Sequence, residues 1–104
     1  MNDRILIAWT TLPNKKQAIE LAHTLIREKL CACAQIDSDI TSIFSWEGEI
    51  QQESECRLLM KYTSSTHAKL EKRIQEVHPY KTPQWIYFEG NASNEYAGWI
   101  QSNL

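Results

Sequence analysis

Glycine, cysteine and runs of like charge are all scarce in this 104-residue chain. Its three glycines leave no Gly-rich loop to cradle a phosphate. H-E-x-x-H, a nucleophile elbow and C-x-x-C are missing as well, so the sequence predicts no enzyme of those kinds. The turn after the first apolar segment, "TTLPNK", has no arginine, which excludes an anion-cradling loop of the acylphosphatase type. No lysine- or arginine-rich stripe breaks a balance of 11 basic against 13 acidic residues, a net charge of -2. Nucleic acid and anionic membrane surfaces are therefore unexpected partners. An RNA-binding sheet would also need an RNP-type sequence, and none is present. The longest N-terminal apolar run, "ILIAW", is too short for a signal or a span. Cys31, Cys33 and Cys56 are odd in number and fit a reducing compartment better than a disulfide framework. A cytoplasmic location is the expectation.

What is present reads as one globular domain, residues 1–104. "RILIAWT" is apolar on both faces and predicts a buried central strand. Asn14 with Gln17 three residues on has the form of a capping box. Ala18, Leu21, Ala22, Leu25 and Ile26 then recur at helical spacing to about Lys29. "CACAQI" opens a second strand, with Cys31, Cys33 and Gln35 on one face. That strand runs on through Ile40, Ser42, Phe44 and Trp46, or through Thr41 and Ile43, with a bend near "DSD". Glu47-Gly48 supplies a turn, and a long strand returns to "CRLLMKYT". Thr63–Thr66 offers N-caps for a second helix marked by Leu70, Ile74 and Val77, which Pro79 ends. "PQWIYFE" is a short strand. Ser93 or Asn94 caps a last helix with Tyr96, Trp99 and Ile100 on one face. The order βαββαβ plus a terminal helix predicts an α+β, ferredoxin-like sandwich with a long β2–β3 hairpin.

That hairpin is too long for a solitary sandwich. Helices of roughly 14 residues cover about 20 Å, whereas a strand of that length covers about 46 Å. Its end, with Ile43, Phe44 and Trp46, projects past the core, and an exposed apolar edge invites pairing. The partner inferred is another copy of the chain.

Three landmarks, "EKLCACAQI", "TSIFSWEGEIQ" and "HPYKTPQ", stand in the order that resembles the CutA family, the divalent-cation tolerance proteins. The resemblance runs nearly end to end. It implies a ferredoxin-like subunit, a homotrimer joined through the long hairpin, a cytoplasmic location, and binding of copper or another divalent metal ion. It also implies copper ligands at a cysteine ending the first strand and at two adjacent histidines before "PY". This sequence has Thr10 and Val77 at two of those places, and His78 alone matches.

His78 accordingly has three readings: a residue at a helix end, a metal ligand, or a polar contact between subunits. Cys33 is a half-buried strand residue or a soft ligand, with Cys31 on the same strand face. Cys56 reads as core, and His23 and His67 as structural or solvated. Trp46 reads as a packing residue at a subunit contact. Alternatively, the implied trimer gathers Thr10, Cys33, Trp46, Glu47, Lys61 and Tyr80 at an intersubunit cleft. An aromatic wall with a carboxylate and an ammonium there suits a small polar molecule, in the manner of a PII-like sensor.

Overall fold

β1 (Arg4–Leu12) is the strand around which the sheet is organised, because Leu6, Ala8, Thr10 and Leu12 are all buried on one of its faces. The computed structural model describes residues 4–104, so the first three residues of the predicted domain lie outside it. α1 (Lys15–Arg27) follows, and the Asn14 side chain accepts from the Gln17 N–H at 2.9 Å. The reciprocal bond differs from a capping box. Gln17 Oε1 accepts from the Asn14 side-chain amide rather than from its backbone.

α1 ends in a Schellman motif. The Leu30 N–H donates to the Leu25 carbonyl and the Lys29 N–H to that of Ile26, with Lys29 at φ 58 where glycine is usual. β2 (Cys33–Trp46) and β3 (Glu49–Tyr62) form the long hairpin. Glu47 and Gly48, at φ 52 and 81, make a two-residue turn whose backbone twist matches the strands. The expected bend at "DSD" is a β-bulge between Asp37 and Ile40, with Asp39 at φ 58.

A 3-10 turn (Ser64–Thr66) leads into α2 (His67–Val77). No side chain caps either, and the Thr66 hydroxyl donates instead to the Leu30 carbonyl. His78 leaves the helix at ψ 136, the extended geometry that a following proline enforces. β4 (Ile86–Asn91) and α3 (Asn94–Ser102) complete the order, and Ser93 caps α3 through the Tyr96 N–H.

The sheet runs β2-β3-β1-β4 with every neighbour antiparallel, the ferredoxin-like arrangement. Its first face packs against α1 and α2 through Leu12, Leu25, Leu58, Met60, Leu70 and Ile74. α3 covers one end of the second face, where Ile5, Ala97 and Ile100 are buried. The rest of that face is bare. Ile86 and Phe88 are 40% and 43% exposed, and the Phe88 ring meets Trp9 edge-on at 5.5 Å. The hairpin tip is barer still, with Trp46 53% and Ile50 82% exposed. The molecule measures 48 × 24 × 23 Å, so the hairpin does reach beyond the core.

Two expectations need correction. Cys31 and Cys33 do not share a strand face, because the chain is still turning after Lys29 and β2 begins only at Cys33. Cys31 is buried in the helix-side core, and Cys33 packs on the second face near Ile7 and Tyr96. Trp99 does not share the buried face of α3. It lies 47% exposed, stacked on Tyr96.

Candidate functional site

The end of β1, the residues after α2 and the root of the hairpin meet at His78. Its Nε2 lies 3.0 Å from Thr10 Oγ1 and 2.9 Å from the Thr11 carbonyl oxygen, and its Nδ1 accepts from the Tyr80 N–H at 3.1 Å. A backbone N–H can only donate and a carbonyl can only accept. Those two bonds therefore fix a neutral ring with its proton on Nε2. Burial holds the His78 pKa below the ordinary imidazole value, opposed in part by the Thr11 carbonyl and the Glu55 carboxylate. Tyr80 continues the chain of contacts, donating its phenol to Glu55 Oε2 at 2.9 Å. Burial and that carboxylate raise the phenol far above its usual range.

This geometry makes stability depend on pH. The folded state keeps His78 neutral, while the unfolded chain charges it below about 6.5. His78 thus contributes fully above that value and progressively less as the pH falls through it towards the lowered folded value. The expected result is a melting temperature that falls more steeply between about pH 7.5 and about pH 5 in wild type than in His78→Gln. Parallel curves would refute it.

A second cluster lies on the other face of the sheet. Cys33 pairs across the strands with Lys61. The Lys61 ammonium donates to Tyr96 Oη at 3.3 Å and sits 5.3 Å from that ring's centre, while Tyr96 stacks on Trp99. Among the described residues no carboxylate pairs with Lys61. Trp46 and Glu47 stand apart at the hairpin tip. Thr10 pairs with Leu58 and Trp46 with Glu49, so about 30 Å of β3 separates them. The chain thus brings Thr10 and Tyr80 together through His78, brings Cys33 to Lys61, and leaves Trp46 and Glu47 remote.

The copper ligands implied by the family resemblance do not fit the residues of this chain. Thr10 is fully buried with its hydroxyl on His78. Val77 lines a cavity of about 230 Å³ between α1 and α2, with Leu12, Leu21 and Arg73. Both nitrogens of His78 are engaged. Among the described residues no three His, Cys, Asp or Glu side chains gather as a metal site would require. Cys31 is no substitute, since burial pushes its thiol up to about 12 and thiolate is the ligating form. Cys56 is core, as expected, and His23 is exposed on α1.

Sequence reasoning missed a third network. Tyr62 Oη is 2.8 Å from His67 Nδ1, His67 Nε2 is 3.5 Å from Glu71, and Trp85 Nε1 donates to the same carboxylate at 2.8 Å. The i, i+4 spacing of His67 and Glu71 was the available signal. Glu55 and Tyr96 were missed too, because pairings across 25 and 35 residues leave no local pattern.

Residues 6–103 match the family model described as CutA1 divalent ion tolerance protein. The chain belongs to that family. The divalent-cation tolerance protein CutA of Thermus thermophilus is 36% identical over 99% of this chain and 98% of its own length. The crystal structure of divalent ion tolerance protein CutA1 from Ehrlichia chaffeensis superposes with a TM-score of 0.93 at 34% identity, covering 99% of this chain and 97% of that one. The PII-like protein CutA from Nostoc sp. PCC 7120, in apo form, superposes at 0.87 with 32% identity, covering 94% and 95%. These CutA relatives are named for cation tolerance or likeness to PII, and none of these names is that of an enzyme. Among the described residues no helix is long and apolar enough to cross a membrane.

Proposed function

We propose that this CutA family member works as a cytoplasmic homotrimer that binds copper or another divalent ion and contributes to the response to metal ions. The observation that carries the assembly is the exposed apolar pair Ile86 and Phe88 beside the half-buried Trp9, on the same face of the sheet as the exposed Trp46 at the hairpin tip. Apolar surface of that extent on a small domain marks an interaction site. The metal reading is supported by charge. Between Asp37 and Glu55 the hairpin carries six acidic side chains and no lysine, arginine or histidine. Three copies packed through their hairpins bring those carboxylates together, so the cation is completed between subunits rather than within one.

Native mass spectrometry with and without one equivalent of Cu(II) per subunit tests both parts. The expected spectrum is a trimer with a defined copper stoichiometry that survives competition by zinc and magnesium. A single-chain species would sink the assembly. A trimer with only scattered adducts would sink the metal part alone.

A second reading is a small-molecule sensor using the intersubunit clefts. It is favoured by the PII-like name of the Nostoc relative and by the Lys61 ammonium, which faces tyrosine with no carboxylate of its own subunit. A ligand held only by the native state raises the melting temperature. A panel of small carboxylates and phosphates that leaves it unmoved would count against this reading.

A further inference from the structure

We infer that the place where the family resemblance puts a copper site is, in this protein, a hydrogen-bonded latch, and that His78 positions the root of the hairpin instead of ligating metal. A metal on Nδ1 would displace the Tyr80 N–H, and a metal on Nε2 would displace the proton held by the Thr11 carbonyl. Either change strands a half-buried backbone group that now has a partner. The two neighbouring places give no help. Thr10 offers a hydroxyl already directed at the same imidazole, and Val77 offers no ligand atom.

The latch has a mechanical sense. His78 ties the last residues of β1 to the Tyr80 backbone, and the Tyr80 phenol reaches Glu55. Glu55 pairs with Ile40, the first pair on the outer side of the bulge. The imidazole therefore fixes, through one tyrosine, the point at which the hairpin departs from the core. This inference concerns the metal part of the proposed function and leaves the trimer untouched.

Long-range 1H–15N spectra of the imidazoles, recorded on the assembled wild-type protein, report the tautomer and the ligand together. The expected spectrum gives His78 the Nε2–H pattern at neutral pH. Substoichiometric Cu(II) should broaden His23 before His78. Selective broadening of His78 overturns the inference. Two variants add independent readings. His78→Ala should change Cu(II) affinity by less than about twofold while Tyr80 amide exchange accelerates at least about tenfold. A loss of affinity of about tenfold or more, the scale of a lost metal interaction, overturns it. Thr10→Cys combined with Val77→His refills the two replaced places and should raise Cu(II) affinity at least about tenfold. A double variant that binds no tighter overturns the claim that these places are what the site lacks. If a variant does not fold, the wild-type titration decides alone.

Discussion

Phe88→Arg should leave single folded chains in place of the proposed trimer. Phe88 lies on the bare face of the sheet, across from Ile7 and edge-on to Trp9. The Arg57 guanidinium already sits over the Trp9 ring at 5.8 Å. A second guanidinium beside it would face both a like charge and an apolar partner surface. Burying an unpaired charge costs several kcal/mol for each ion, and a closed trimer repeats that cost at every subunit. Within the chain itself the change is mild, because Phe88 is 43% exposed and outside the helix-side core. Light scattering after gel filtration should give one chain's mass, with the far-ultraviolet circular dichroism unchanged. A variant that keeps three copies would show that this strip is not the interface.

Leu58→Ala should cost about 2–5 kcal/mol of folding free energy. Leu58 is fully buried, pairs with Thr10 on β1 and Ile36 on β2, and packs in the core beneath the two long helices. Truncation there leaves a cavity that β-strand backbone on both sides cannot collapse into. Domains of this size are stable by about 5–15 kcal/mol in all, so the loss is a large fraction. Denaturant unfolding at one fixed protein concentration should show a lower midpoint and an unchanged slope. Lys72→Ala, on the exposed side of α2, should move the midpoint by less than about 0.5 kcal/mol equivalent. Similar shifts for both variants would contradict the placement of the core.

The elements that could be read in advance are those whose cause is local. Alternation along Ile36–Phe44 and Cys56–Tyr62 announced the hairpin, Asn14 and Gln17 announced the start of α1, and Pro79 announced the end of α2. The exposed Ile43, Phe44 and Trp46 follow from strand length against helix length alone. The end of α1 was hidden, because Lys29 fills a left-handed position that glycine would have marked. That concealment moved the expected start of β2 two residues too early and put Cys31 on the wrong face.

The site was legible as a set of residues and not as an arrangement. His78, Thr10 and Tyr80 were singled out, but the tautomer depends on the Tyr80 backbone and the Thr11 carbonyl, which composition and spacing do not record. The partner of Tyr80, Glu55, is brought to it only by the hairpin's path.

The bulge in β2 divides the hairpin into two halves that are written in different reading frames. Before it Asp37 is opposite Arg57, and after it Ile40 is opposite Glu55, so three steps on one strand match two on the other. Odd-numbered β2 residues such as Cys33 and Gln35 therefore share a face with odd-numbered β3 residues, whereas beyond Asp39 the even-numbered Ser42, Phe44 and Trp46 do so. A one-residue deletion at Ser38 would take out the extra residue and return the strand to plain alternation. Two steps would then match two, so Ile40 would stay opposite Glu55 and every side chain from Ile40 to Trp46 would keep its face. The bulge is thus a splice between two frames, and its removal would straighten the strand at that point without re-aiming the side chains on either side of it.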